Sequence, residues 1–125
     1  MKILILTSLP HFLAVPFAPD WMYSFLVWVS TSCSIAWHAS ETGLHSPLGI
    51  LDHGLAATWF LADCMYSLGT PQFGPILCLN GLIALLNVGA YQLSVVGYTS
   101  YTTSHSVWHL LSAAKATYVA IQLSK

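Results

Sequence analysis

Apolar residues dominate the chain, and short polar clusters divide them into five runs. Residues 3–18 form the first run, broken by Pro10 and Pro16, which predicts a short, kinked helix. A secretory signal peptide begins in the same way; we read the run instead as a first membrane helix. Asp20 is a natural N-cap for a second helix over 21–39, close to the roughly 20 residues that a bilayer core requires. Trp21 and Tyr23 at its start suit an interfacial aromatic belt. The most polar stretch, 39–47, reads as a loop in which Glu41 and His45 are solvated. A third helix is expected over 49–68, ending at Gly69-Thr70-Pro71, and a fourth over 75–96. Gly97 to Thr103 reads as a turn, and a fifth helix takes 105–123.

Composition turns this pattern into a fold class. Of 125 residues, 56% are hydrophobic and 6% charged, against roughly 25% charged in soluble domains; mean hydropathy is +0.69. We therefore expect an all-α integral membrane protein, a bundle of about five transmembrane helices forming one domain over 1–125. Arginine is absent and lysine occurs only at Lys2, Lys115 and Lys125, which leaves no basic patch for nucleic acid. Cys33, Cys64 and Cys78 form no CxxC pair and read as small buried hydrophobes.

Against this background the polar residues inside the helices carry the chemistry. His105 and His109 are four apart and share one helix face. Ser34 and His38 have the same spacing at the end of the second helix, and Asp52 opens the third. With consecutive helices crossing in alternate directions, all five fall at one membrane face. Three imidazoles and a carboxylate at one depth suit zinc, which in catalytic sites takes three protein ligands and keeps a fourth position open. His38, His105 and His109 are the candidate ligands, Asp52 a candidate to orient water or accept its proton, and Ser34 a hydrogen-bond donor to water or to a developing oxyanion. A haem held between two histidines and a histidine pair satisfied by neighbouring hydroxyls are the alternatives. Elsewhere, His11 reads as interfacial and Asn80 and Asn87 as interhelical packing residues. Asp52 and Asp63, eleven apart, return to nearly one face. Lys115 either snorkels or meets an acid such as Asp63.

Ser34-Ile-Ala-Trp-His38, Leu51-Asp52 and His105-Ser-Val-Trp-His109 resemble the SxxxH, D and HxxxH signature of the CREST superfamily, which includes alkaline ceramidases, the adiponectin and progestin receptors and the myomaker-like proteins. The last motif is most similar to the myomaker-like branch. The resemblance covers about 25–40, 48–62 and 101–115. It implies a zinc-dependent membrane hydrolase acting on a lipid amide, with His38, His105 and His109 on zinc and Asp52 and Ser34 at its water. It also implies a seven-helix fold, of which this chain has length for a reduced version. Losing two helices keeps the parity that places the ligands on one face, and removes walls that would enclose a long-chain lipid. Two functions follow as expectations. One is a hydrolase of a lipid amide or ester with membrane lipids as partners. The other is an accessory subunit of a larger membrane complex, respiratory or photosynthetic, retaining a metal site for stability.

Overall fold

The computed structural model describes residues 2–125 and is helical in every element. It comprises α1 (Lys2–Ser8), a 3₁₀ segment (Leu9–Phe17), α2 (Trp21–Ser40), α3 (Pro47–Ser67), α4 (Phe73–Val95) and α5 (Tyr101–Leu123). Among the described residues one helix, Phe73–Val95, is long and apolar enough to cross a membrane by length and composition alone.

Local chemistry sets most boundaries. Pro10 stands at the start of the 3₁₀ segment and Pro16 lies inside it; neither supplies an N–H, so the second half of the first run leaves α geometry where a kink was expected. Asp20 caps α2 by accepting the Tyr23 amide at 2.8 Å. Ser46 caps α3 through the Gly49 amide at 3.1 Å, with Pro47 next. Asp52 therefore sits in the second turn, beyond capping range. Ser100 accepts the Thr103 amide at 3.1 Å, so α5 begins at Tyr101 and absorbs residues expected in the turn. His105 and His109 are consequently set one turn inside the helix, where neighbours can surround them.

The segment ends are pinned as well. At the α2–α3 corner the Trp37 indole donates to the carbonyls of Thr42 and Gly43 at 3.1 and 3.4 Å. A Cβ on Gly49 would stand 2.5 Å from the Leu44 carbonyl oxygen, so only glycine lets this loop fold back over the end of α3. Glu41 ends α2 with φ +53°, a left-handed cap.

The elements close into a ring. The N-terminal segment packs between α2 and α5, α2 lies against α3, α4 against α5, and a sparser α3–α4 contact completes the circle. The small residues Ala113, Ala116 and Ala120 are buried on α5 and let the 3₁₀ segment approach closely; Ala14, Tyr23, Val27 and Trp59 join Ala116 and Ala120 in the apolar core. Tyr23 is 1% exposed, turned inward rather than into a surface belt, whereas Trp21 is 77% exposed. The ring surrounds a cavity of about 460 Å³ to which all five walls contribute.

Candidate metal centre

Helix α2 supplies His38 and α5 supplies His105 and His109, all three buried, and the two α5 histidines line the cavity. One ligand nitrogen from each lies within 4.8 Å of the others, close enough for all three to bind one metal ion. The His38 and His109 Nε2 atoms stand 3.4 Å apart.

Hydrogen bonding orients His109. Its Nδ1 lies 3.2 Å from the Thr7 hydroxyl and 3.1 Å from that of Ser8. Both hydroxyls already donate to the Leu4 carbonyl, at 3.2 and 2.8 Å. Their oxygens are left to accept, so Nδ1 carries the ring proton and Nε2 presents a bare lone pair to the cluster. A metal-ligating histidine is held in this way, with its second nitrogen donating to an outer group.

His105 is the least satisfied member. It is 5% exposed and its Nε2 is buried without a hydrogen-bond partner. Tyr101 and Trp108 stack on its ring at centroid distances of 4.8 and 5.3 Å, fixing the imidazole by its faces while leaving that nitrogen unpaired. A proton on His38 Nε2 would satisfy His109 alone. A cation held by one nitrogen from each ring would engage all three side chains, and this set of donors fits one.

Ser34 and Asp52 line the same cavity as His105 and His109. The Ser34 hydroxyl lies 3.5 Å from that of Ser8, which joins it to the group holding His109. The structure thus brings the three histidines of α2 and α5 together and sets Ser34 and Asp52 on the wall of the cavity that His105 and His109 share. His11, expected at an interface, instead lines the cavity, edge-on to His109 at 6.1 Å and to Trp59 at 6.0 Å. Thr7 and Ser8 were not legible as part of the site. Their signal was only two adjacent hydroxyls in an apolar run, and they meet His109 across about a hundred residues of chain.

A second polar cluster lies deeper. Asp63, fully buried, accepts from the Tyr23 hydroxyl on one oxygen and from Asn80 and Lys115 on the other, both at 3.0 Å. Lys115 also donates to Asn80 Oδ1 at 2.9 Å, and the Trp59 indole donates to the Tyr23 hydroxyl at 3.0 Å. This resolves Lys115 as the ion-pair partner of Asp63. Asn80 carries the interhelical bonds expected of it, while Asn87 lines the cavity.

No protein family, curated protein or solved structure matches this chain.

Proposed function

We propose that the chain is a multi-pass membrane protein whose three histidines hold zinc, and that it hydrolyses a lipid amide or ester within its ring of helices. The observation that carries the reading is the buried His38–His105–His109 cluster, with its unpaired His105 nitrogen, opening onto a cavity shared with Ser34 and Asp52.

Membrane residence is supported by the inversion of polarity between inside and outside. Buried positions include Thr31, His38, Asp63, Asn80, His105 and His109, whereas Phe25, Trp28, Leu61, Met65, Leu85 and Leu110 are each at least half exposed. Such a surface suits lipid, since large exposed apolar patches are uncommon on soluble monomers. Inward-facing polar residues lower the mean hydropathy of α2, α3 and α5 while leaving their outer faces apolar; α4 alone lacks titratable side chains from Phe73 to Leu77 and from Leu79 to Ala90. Helices α2 to α5 have 20, 21, 23 and 23 residues, or about 30–35 Å at 1.5 Å per residue, which matches a hydrocarbon core of about 30 Å. The first run is shorter, but the larger rise of its 3₁₀ half stretches it to about 28 Å.

Zinc is favoured among metals by the three imidazole donors, and one of the nitrogen pairs has a spacing that suits it. Zn–N bonds of about 2.0–2.1 Å at tetrahedral angles set two ligand nitrogens about 3.3–3.4 Å apart, and the two Nε2 atoms of His38 and His109 are at 3.4 Å. When bound, zinc supplies Lewis acidity and lowers the pKa of a coordinated water to about 7. The protein's own groups do the rest. Asp52 takes the proton that water loses as its oxygen joins the carbonyl carbon, and returns it to the amine or alkoxide as the C–N or C–O bond breaks. Ser34 donates a hydrogen bond to the oxygen on which negative charge develops. The order and spacing of Ser34, His38, Asp52, His105 and His109 resemble the CREST signature, whose best-characterised members act on lipid amides. A cavity of about 460 Å³ within the ring, in the range of small-ligand pockets, supports the reading.

Metal analysis of the purified protein tests the reading. About one zinc per chain, lost in the His105→Ala, His109→Ala double variant, is the expected result, followed by release of fatty acid from ceramides or simple acyl esters that requires Asp52. Protein purified with zinc present but containing none, or zinc that survives the double substitution, would sink it.

A further inference from the structure

The cavity extends well past the histidines, and its far end holds polar groups that the hydrolytic site does not use. Thr31 on α2 lines the cavity, is 3% exposed, and its hydroxyl has no hydrogen-bond partner. A buried hydroxyl left in that state is costly unless something occupies it. Lys115 on α5 lines the cavity too. An ammonium has three donors; Asp63 and Asn80 take two, and the third has only the face of Trp59 nearby, with Nζ 5.8 Å from the ring centroid.

The two residues stand at similar heights along their helices. Lys115 follows His109 by six residues on α5, a rise of about 9 Å, and Thr31 precedes His38 by seven on α2, about 10 Å. Each rise is counted from a candidate ligand on the same helix, so the two backbone positions lie at similar distances from the histidine cluster. Between the two ends the wall is largely apolar, with Ala56, Ala57, Phe60, Ile83 and Ala84. The charge of Lys115 is already balanced by Asp63. An additional anion would stand uncompensated there, whereas a neutral oxygen would accept the spare N–H and pair with the threonine hydroxyl.

We infer that the cavity accepts an acyl chain bearing a second, neutral oxygen, a hydroxyl or keto group, about 9–10 Å from its carbonyl carbon, with Thr31 and Lys115 as the recognising residues. The inference deepens the proposed hydrolase by naming the substrate class, and rests on that reading only at the histidine end.

The probes are octanoate, whose carboxylate stands in for the acid product, and its terminally hydroxylated counterpart. Binding to the full chain in lipid nanodiscs is followed by fluorescence of Trp59 and Trp108, which line the cavity, and zinc is measured on the same preparations. The hydroxylated acid should bind about fivefold tighter, the worth of roughly one net hydrogen bond. Thr31→Val should cut that preference at least in half. Because the threonine hydroxyl has no partner, this variant should melt no lower than the parent, so a folding defect cannot mimic the result. Equal binding of the two acids, binding of neither, or a preference untouched by Thr31→Val overturns the inference, even where zinc is present and the metal centre stands. A preference that Thr31→Val reduces in protein without zinc upholds the deep site and removes the hydrolase.

Discussion

The protein buries two polar clusters in one ring of helices, and they are built to opposite rules. Around Asp63 every oxygen is matched, by Tyr23 on one side and by Asn80 and Lys115 on the other. Around the histidines the matching stops short: His109 is held from behind by Thr7 and Ser8, yet its Nε2 faces another imidazole, and the His105 Nε2 has no hydrogen-bond partner. The Asp63 carboxylate, with both oxygens matched, stabilises the fold by its own bonds and leaves only the third N–H of Lys115 spare, whereas the histidine nitrogens have capacity left for a ligand. Burial alone does not separate structure from function here; the count of unmet donors and acceptors does.

The largest effect that would test this contrast comes from removing one partner from each cluster. Asp63→Ala leaves the Lys115 ammonium buried without its counter-charge and should destabilise the protein by about 3–5 kcal/mol. His105→Leu in chelator-treated protein removes a nitrogen that bonds to nothing and should change stability by no more than about 1 kcal/mol. Thermal unfolding in one detergent, followed by circular dichroism, compares them. Similar losses would mean that both clusters are structural.

A smaller effect separates the groups behind the candidate metal ligands from those histidines themselves. Replacing Thr7 with valine and Ser8 with alanine together removes both acceptors of the His109 Nδ1 proton. Outer-shell losses of this kind typically weaken metal affinity by about 10–100-fold. Competition for zinc against a chromophoric chelator gives the number. An unchanged affinity would assign the two hydroxyls to helix packing alone.

The smallest effect lies outside both clusters, at Asp20. The Tyr23 amide and then the Tyr66 hydroxyl hold its carboxyl below the ordinary aspartate range. A carboxyl with a depressed folded pKa contributes stability that is fully present above its unfolded value of about 4 and is lost as pH falls through the lower folded value. A slight loss of stability on acidification should therefore occur below about pH 4, and be weaker in Asp20→Asn, which keeps the cap. An acid response identical in the two proteins would exclude Asp20 as its source.

Much of this arrangement was legible along the chain. Asp20 announced the start of α2, and the four-residue spacings of Ser34–His38 and His105–His109 placed each pair on one face. Alternating helix direction then predicted that His38, Asp52, His105 and His109 would meet. What escaped was set by rotation and by distance along the chain. Tyr23 looked like a belt residue because position within a helix gives depth and not azimuth; packing turned it toward Asp63. His11 looked peripheral between its prolines, and the 3₁₀ segment carried it against the cavity.

By itself the amino-acid order determined the helix count, most of the boundaries and the spacing of the histidines, because caps, prolines and the helical period act over a few residues at a time. Only the tertiary structure decided that Lys115 pairs with Asp63, that Thr7 and Ser8 hold His109, that a ring of five elements encloses a cavity, and that Thr31 is left unpartnered within it. Each of these depends on how whole helices turn about their axes and approach one another, and that is settled by side-chain packing across the ring, between residues the chain keeps far apart.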